Sequence, residues 1–194
     1  MNILGSIGIL GCGAVAAIAI MSASYRPAAT IIDPPASGNK KEKTLTWETL
    51  HPEETSPKRD DKLTLTDAEW QKRLTPDQFK ILRSHGTDPA FCGILEDNHL
   101  KGAYNCAGCD LPLFKSDDKF NSGTGWPSFL LPVARKNVWF RTDKTYGMTR
   151  VEVLCAKCDG HLGHVFPDGP APSGLRFCIN GNALKFKEQK PKSD

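Results

Sequence analysis

Neither sign of charge dominates this sequence of 194 residues. Its 25 Lys and Arg face 22 Asp and Glu, and the formal net charge is only +3. The sequence also lacks a basic stripe with interleaved aromatic residues, which is the usual mark of a nucleic-acid-binding surface. No nucleic acid is therefore expected as a partner, and the charge alone does not call for an anionic membrane surface.

Only the start of the chain contains a long apolar run. Residues 3–21 carry no charge and are rich in Ile, Leu, Ala and Gly, over about the length of a membrane-spanning helix. No Lys or Arg precedes this run, whereas a signal peptide usually begins with one. We predict that residues 1–24 form a hydrophobic leader, either a signal peptide cleaved near residues 22–24 or a retained membrane anchor.

The leader predicts an exported or membrane-anchored protein whose domain lies outside the cytoplasm, and a cytoplasmic protein is the alternative. Residues 9–12 resemble a lipoprotein acylation box, so cleavage, acylation and retention of the leader all stay open. Residues 25–63 contain five prolines among Lys, Glu, Thr and Ser, with few apolar residues to bury. We predict a flexible linker over this segment.

A folded domain is predicted over residues 64–188, with a disordered tail at 189–194. The domain opens with two capping-box patterns, Thr66 with Glu69 and Thr75 with Gln78, which predict two short helices.

Beyond Gly86 the helical signals cease. Short β-prone runs follow, such as 138–140 and 148–154, and Gly, Pro, Asn and Asp separate them. This pattern predicts a mainly β domain, a small barrel or sandwich with short N-terminal helices.

Four of the seven cysteines form two C-x-x-C pairs in nearly identical surroundings. Each pair follows a β-prone run and is followed by Asp, and we call each pair with its turn a knuckle. Two knuckles supply four thiolates for a tetrahedral zinc ion. A redox C-x-x-C of the thioredoxin kind belongs in a βαβ setting, so we favour metal. We predict one structural zinc ion that joins two distant parts of the domain, held by Cys106, Cys109, Cys155 and Cys158. Because all four ligands are cysteines, no position is open for catalysis.

Another cysteine lies in residues 174–180, a predicted strand with alternating apolar residues. Side chains alternate across a strand, so Arg176, Cys178 and Asn180 share one face while the apolar residues share the other. A guanidinium two residues from a thiol favours the nucleophilic thiolate. The alternative is a buried structural cysteine that behaves as a small hydrophobic residue.

Two further segments carry polar or aromatic side chains in unusual places. Trp126 lies in a loop rich in Gly and Pro, where it serves as a packing anchor or as the wall of a ligand site. His161, His164 and Asp168 follow the second knuckle, as structural residues or as proton donors. Together with Cys178 they supply the groups for nucleophilic attack with proton delivery.

These motifs resemble the methionine sulfoxide reductase B family, the peptide-methionine (R)-S-oxide reductases. The resemblance covers residues 65–187, and the motifs follow the family's order. They are Gly86-Thr87, residues 91–93, the two C-x-x-C knuckles and residues 122–129, 161–170 and 176–180.

The resemblance implies two antiparallel sheets, Cys178 as the catalytic nucleophile and a zinc ion on the four knuckle cysteines. Trp126 matches the aromatic wall for the substrate methyl group, and Arg176 and Asp168 are expected to support substrate binding. His161, His164 and Asn180 match the polar pocket. The implied partners are proteins and peptides carrying the R epimer of methionine sulfoxide, and a thioredoxin-like reductant; we expect a monomer.

The implied chemistry begins with attack of the Cys178 thiolate on the sulfoxide sulfur. His164 or His161 protonates the oxygen, directly or through water, and methionine leaves Cys178 as a sulfenic acid. A second thiol then condenses with the sulfenic acid to give a disulfide, which a thioredoxin-like donor opens by exchange.

The resolving thiol is where this chain departs from one common family pattern. Many members carry a cysteine immediately before the Gly-Trp-Pro-Ser-Phe run, and this chain has Thr124 there. Cys12 lies in the leader, across a long linker, and Cys92 lies in a loop that some members use for this purpose. We predict that Cys92 resolves the sulfenic acid; the alternative is that Cys92 is inert and the acid is reduced directly.

Two other function classes remain. A zinc-ribbon binding module without catalysis explains the knuckles but leaves the Arg176-Cys178-Asn180 face without a role. A thiol–disulfide exchanger needs two neighbouring redox cysteines but no sulfoxide pocket, so the loss of Trp126 would matter little to it.

Overall fold

The structure, a computed structural model, describes residues 45–190. The leader at 1–24, most of the linker and residues 191–194 of the predicted tail lie outside the described residues, and those predictions stay predictions. Along residues 45–190, no helix has the length and apolar character needed to cross a membrane.

The described chain contains two short helices and nine strands. The helices are α1 (Asp67–Arg73) and α2 (Pro76–Leu82). The strands are β1 (Gly102–Cys106), β2 (Pro112–Lys115), β3 (Lys119–Phe120), β4 (Ser128–Phe129), β5 (Val138–Asp143), β6 (Arg150–Cys155), β7 (His161–Phe166), β8 (Arg176–Ile179) and β9 (Leu184–Glu188). Single 3₁₀ turns lie at Trp47–Thr49, Ser116–Asp118, Arg135–Asn137, Thr145–Gly147 and Gly181–Ala183.

The strands form two antiparallel sheets, as the sequence predicts. The smaller sheet has the order β2-β1-β9, and the larger has the order β3-β4-β8-β7-β6-β5. The prediction of a mainly β fold with two sheets and short N-terminal helices is confirmed.

The larger sheet has one apolar face and one polar face because side chains alternate along each strand. The apolar face packs against the core, and its fully buried members include Phe140, Val153, Val165, Phe177 and Ile179. The partition predicted for residues 174–180 is therefore found, with the apolar side chains inward and Arg176 and Cys178 on the other face.

Both helices begin with the predicted capping boxes. The Glu69 amide donates to the Thr66 hydroxyl while the Thr66 amide donates to the Glu69 carboxylate, and Thr75 and Gln78 make the same exchange. α2 ends at Leu82, and His85 just beyond it has a left-handed conformation with φ 54°.

Residues 45–63 lie against the domain, although composition predicts a flexible linker there. Leu50 is only 6% exposed and belongs to the core. The Glu53 amide donates to the Phe140 carbonyl at 2.7 Å, and the Leu63 amide donates to the Lys157 carbonyl at 2.8 Å. Isolated leucines among prolines and charges give no periodic signal in the sequence. In the structure Leu45, Leu50 and Leu63 all pack in or against the core. The folded part therefore begins before residue 64.

Candidate active site

Four cysteine side chains converge where the two sheets meet. The sulfur atoms of Cys106 and Cys158 are 3.6 Å apart, those of Cys109 and Cys155 are 3.5 Å apart, and all four lie within 4.8 Å of one another. A tetrahedral zinc site with Zn–S bonds of about 2.3 Å places its sulfur atoms about 3.8 Å apart. All four side chains are buried, so the donor set and the spacing fit a closed four-thiolate metal site.

The two knuckles have the same backbone conformation, as their near-identical sequences predict. The Asp110 amide donates to the Cys106 carbonyl and the Asp159 amide to the Cys155 carbonyl, both at 2.9 Å. Each Asp adopts a left-handed conformation, with φ of 65° and 57°, which Asp tolerates better than most residues. Cys106 ends β1 in one sheet and Cys155 ends β6 in the other, so the cluster connects the two sheets.

A single row of side chains crosses the polar face of the larger sheet. Cys178 on β8 lies directly opposite His164 on β7, which lies opposite Glu152 on β6 and, beyond it, Arg141 on β5. On its other side Cys178 lies opposite Ser128 on β4. The row places a thiol beside an imidazole, the arrangement that nucleophilic catalysis by cysteine requires.

Burial raises the pKa of the Cys178 thiol, and the Arg176 guanidinium and the Thr124 hydroxyl offset this only in part. The sequence alone suggested a thiolate, so this expectation is corrected. Burial prevails because water is removed from the half-buried sulfur, and because Arg176 is held by Asp168 through two hydrogen bonds of 2.8 Å. Arg176 also lies over the Phe166 ring, at 4.5 Å from its centroid.

A β-bulge in β7 brings His161 onto the same face as His164. Residues three apart in a regular strand point to opposite faces, but the pairing with β6 shifts between Val153 and Leu154 and leaves Leu162 as an extra residue. The two imidazole centroids are 5.5 Å apart. Gly163 is required here, since a Cβ atom would lie 2.1 Å from the Cys178 carbonyl oxygen.

A carboxylate orients each imidazole. His164 Nε2 is 2.8 Å from Asp143 Oδ2, and His161 Nδ1 is 2.7 Å from Glu152 Oε1. Burial acts to raise the pKa of both carboxyls, but the hydrogen bonds that they accept outweigh it and hold both pKa values well below the usual range. A carboxylate can only accept, so the shared proton lies on His164 Nε2 and on His161 Nδ1.

Burial also lowers the pKa of His164, and the hydrogen bond to Asp143 offsets this only in part. His164 is therefore neutral at pH 7, with Nδ1 free to accept a proton. A neutral imidazole opposite a protonated thiol is able to receive the proton of Cys178 and return it to a leaving group.

Comparison with known proteins identifies the chain. A family model described as the SelR domain matches residues 74–188. The peptide methionine sulfoxide reductase MsrB of Thiobacillus denitrificans is 55% identical over 121 residues, which cover 62% of this chain and 92% of that protein. The chain belongs to the methionine sulfoxide reductase B family.

Further members of this family match to a similar extent. The peptide methionine sulfoxide reductase MsrB of Agrobacterium fabrum is 53% identical over 133 residues, covering 69% of this chain and 96% of that protein. The mitochondrial methionine-R-sulfoxide reductase B2 of Homo sapiens is 50% identical over 135 residues, covering 66% of this chain and 74% of that protein.

Two residues that the family resemblance placed at the substrate pocket are held by one buried residue, Asp88. The Trp126 indole donates to the Asp88 carbonyl at 2.9 Å, and the Asn180 side chain accepts from the Asp88 amide at 2.9 Å. The Asp88 carboxylate in turn accepts from both the backbone and the side chain of Asn182. Asp88 thus sets the position of Trp126, and no sequence motif pointed to it.

Cys92 lies exposed on the same loop as Asp88, while Cys178 is half-buried on β8, and both are free thiols. The loop is held near the nucleophile on two sides. Asp88 is bound to Asn180, two residues beyond Cys178, and the Phe91 amide donates to the Gly125 carbonyl at 2.9 Å. The adjacent Thr124 hydroxyl lies 4.0 Å from the Cys178 sulfur.

The raised pKa of Cys178 predicts its alkylation profile. In a variant with Cys12 and Cys92 replaced by Ser, the iodoacetamide rate should increase with pH, with a midpoint above the usual thiol pKa of about 8.5. Arg176→Gln should move the midpoint further up, because the guanidinium opposes the effect of burial.

The matched control for this experiment is Arg135→Gln, whose guanidinium pairs with Glu53 at the far edge of the sheet and should leave the midpoint unchanged. A wild-type midpoint below about 8.5, or a lower midpoint in Arg176→Gln, would contradict the conclusion that burial raises the pKa of Cys178 more than Arg176 lowers it.

Proposed function

We propose that this chain reduces the R epimer of methionine sulfoxide in proteins and peptides to methionine, with a thiol as reductant. The observation that carries the proposal is the placement of Cys178 directly opposite His164 on the polar face of the sheet, in a chain of this family. The human relative is named a methionine-R-sulfoxide reductase, and the bacterial relatives are named peptide methionine sulfoxide reductases.

We propose that the proton of Cys178 reaches the substrate oxygen through His164. In the proposed first step His164 Nδ1 accepts the thiol proton, and the sulfur attacks the sulfoxide sulfur. The imidazolium formed is stabilised by the Asp143 carboxylate and gives its proton to the oxygen, while His161, oriented by Glu152, is the second donor available on this face. Methionine leaves, and Cys178 carries the oxygen as a sulfenic acid.

The Cys92 thiol then attacks the sulfenic sulfur in the proposed second step. A Cys92–Cys178 disulfide forms and the oxygen leaves as water, so the two electrons taken by the sulfoxide come from the two thiols. A thioredoxin-like dithiol restores both by exchange. The exposure of Cys92 supports this role, because a partner's thiolate has to reach the disulfide from solvent.

We infer that the ion at the four-cysteine cluster is zinc, since four thiolates in a tetrahedral arrangement select zinc or iron–sulfur chemistry and the site is closed. Zinc held there supplies structural stability and no reaction step. The cluster lies where β1 and β6 end, apart from the row that contains Cys178.

The proposed function and the role of Cys92 are tested together by assaying the full chain on peptides with R- or S-methionine sulfoxide. With dithiothreitol, wild type should turn over the R peptide only, and Cys92→Ser should retain most of this activity because a small dithiol reduces the sulfenic acid directly. With thioredoxin, Cys92→Ser should lose at least about 100-fold, since the protein donor needs an exposed disulfide.

The outcomes separate the two parts of the proposal. Equal activity of wild type and Cys92→Ser with thioredoxin would leave the reductase in place and remove Cys92 as the resolving thiol. Turnover of neither epimer by correctly folded, metal-loaded protein would remove the function itself and favour a zinc-binding module without catalysis.

A further inference from the structure

A second group of metal-ligating side chains lies beside the polar row. His85 Nδ1 and His161 Nδ1 both point at one oxygen of Glu152, Oε1, at 2.9 and 2.7 Å. The two imidazole centroids are 5.3 Å apart. Two imidazole nitrogens and a carboxylate oxygen are a donor set that suits divalent transition metals and recurs in zinc sites with an open position.

The group is open to solvent on one side only. The His85 side chain is 52% exposed at the end of α2, whereas the Glu152 and His161 side chains are 5% and 4% exposed. An ion can therefore enter past His85 and contact ligands that are otherwise protected from water. The four-cysteine cluster contributes no atom to this group.

Arg141 leaves one oxygen of the Glu152 carboxylate available to an ion. Arg141 binds the other oxygen of Glu152, with Nη2 at 2.8 Å, and within residues 45–190 the partners of Oε1 are the two imidazoles. Arg141 would remain as the outer partner of a ligating carboxylate, an arrangement that orients ligands in known metal sites. An incoming ion replaces the two Nδ1 protons, which leave to solvent or move to the Nε2 atoms.

The spacing needs only a small adjustment. Ligand atoms around a tetrahedral ion with bonds of about 2.0–2.1 Å lie about 3.4 Å apart. The present nitrogen–oxygen distances are shorter by about half an ångström, and the exposed His85 ring is the member with room to move outward.

We propose that His85, Glu152 and His161 form a binding site for a divalent transition metal such as Zn²⁺ or Co²⁺, separate from the four-cysteine cluster. The bound ion takes His161 Nδ1 away from Glu152 and fixes the ring at the metal, so His161 no longer serves as the second proton donor, which lowers turnover. This second part rests on the proposed reductase function, and the first part does not.

Metal binding is tested on full-length protein with zinc at the cluster and with Cys12, Cys92 and Cys178 replaced by Ser, so that no other thiol competes. Co²⁺ should bind as one additional equivalent with weak visible absorption and without the intense thiolate-to-cobalt bands. His85→Ala should weaken this binding at least tenfold, since one of three protein ligands is lost. The matched control is His99→Ala, which removes an exposed histidine paired with a single carboxylate, Asp97, and should bind Co²⁺ as the parent does.

Inhibition is tested in a single turnover of pre-reduced protein with native cysteines, without added thiol, because dithiols chelate zinc. Zn²⁺ should slow methionine formation, and His85→Ala should need at least tenfold more Zn²⁺ for the same effect.

The absence of an extra Co²⁺ equivalent, or equal Co²⁺ affinity in His85→Ala, would overturn the site. Equal zinc sensitivity of wild type and His85→Ala would place the inhibition at the thiols and overturn the second part. Failure of the protein to form methionine without added Zn²⁺, with its cluster zinc in place, would instead count against the reductase function, and the cobalt titration would still decide the site.

Discussion

Replacing Cys178 by Ser is expected to reduce turnover of R-methionine sulfoxide by at least about 10⁴-fold, with dithiothreitol or thioredoxin as donor. A serine hydroxyl in this position is a far weaker nucleophile toward sulfur. The measurement is methionine release from an R-sulfoxide peptide, with circular dichroism to show that the fold is retained.

The fold should tolerate this change because the Cys178 side chain faces the half-buried polar surface and not the core, which is formed by the neighbouring Phe177 and Ile179. Cys92→Ser provides the matched cysteine control and should retain activity with dithiothreitol. Residual activity of Cys178→Ser within tenfold of wild type would show that another group attacks the sulfoxide.

Loss of one cluster cysteine is expected to unfold the domain. Structural zinc sites contribute about 10–16 kcal/mol of binding free energy, which equals or exceeds the total stability of about 5–15 kcal/mol that a domain usually has. Cys106→Ser should therefore lose its zinc. Its cooperative thermal transition should disappear, or the midpoint temperature of unfolding should decrease by tens of degrees. Zinc content and the unfolding transition followed by circular dichroism give the result.

The effect should reach beyond the knuckles because both helices are bound to them. Arg73 donates to the Gly108 carbonyl at 2.7 Å, and Arg83 donates to the Cys158 carbonyl at 2.9 Å. Cys92→Ser, which removes an exposed cysteine, should keep one zinc ion and the wild-type transition. A Cys106→Ser protein that unfolds at the wild-type temperature would show that the two sheets hold together without the ion.

The sequence predicted those features that follow from local patterns. Two copies of C-x-x-C-Asp predicted the four-cysteine cluster because spacing alone places both sulfur atoms of a pair on one turn. The alternation around Cys178 predicted which side of β8 faces the core. The capping boxes predicted where both helices begin, because the motif requires only residues three apart.

Features that depend on strand pairing could not be predicted in this way. Glu152 and Asp143 orient the two histidines, but they come from other strands, and their partners depend on register. Residues three apart in a regular strand point to opposite faces, but the bulge at Leu162 places His161 and His164 on the same face. The sequence predicts a lowered pKa for the Cys178 thiol because it shows the nearby guanidinium. In the structure burial raises that pKa, and burial does not follow from the local sequence.

Residues 45–63 have a consequence for the way the domain meets other chains. β5 is the last strand of its sheet, and its outer edge offers backbone groups that a strand from another molecule could pair with. The Glu53 amide occupies one of them, the Phe140 carbonyl. Residues 45–63 therefore cover part of the open edge of the sheet, and a protein shortened to residue 64 would present that part of the edge to its neighbours.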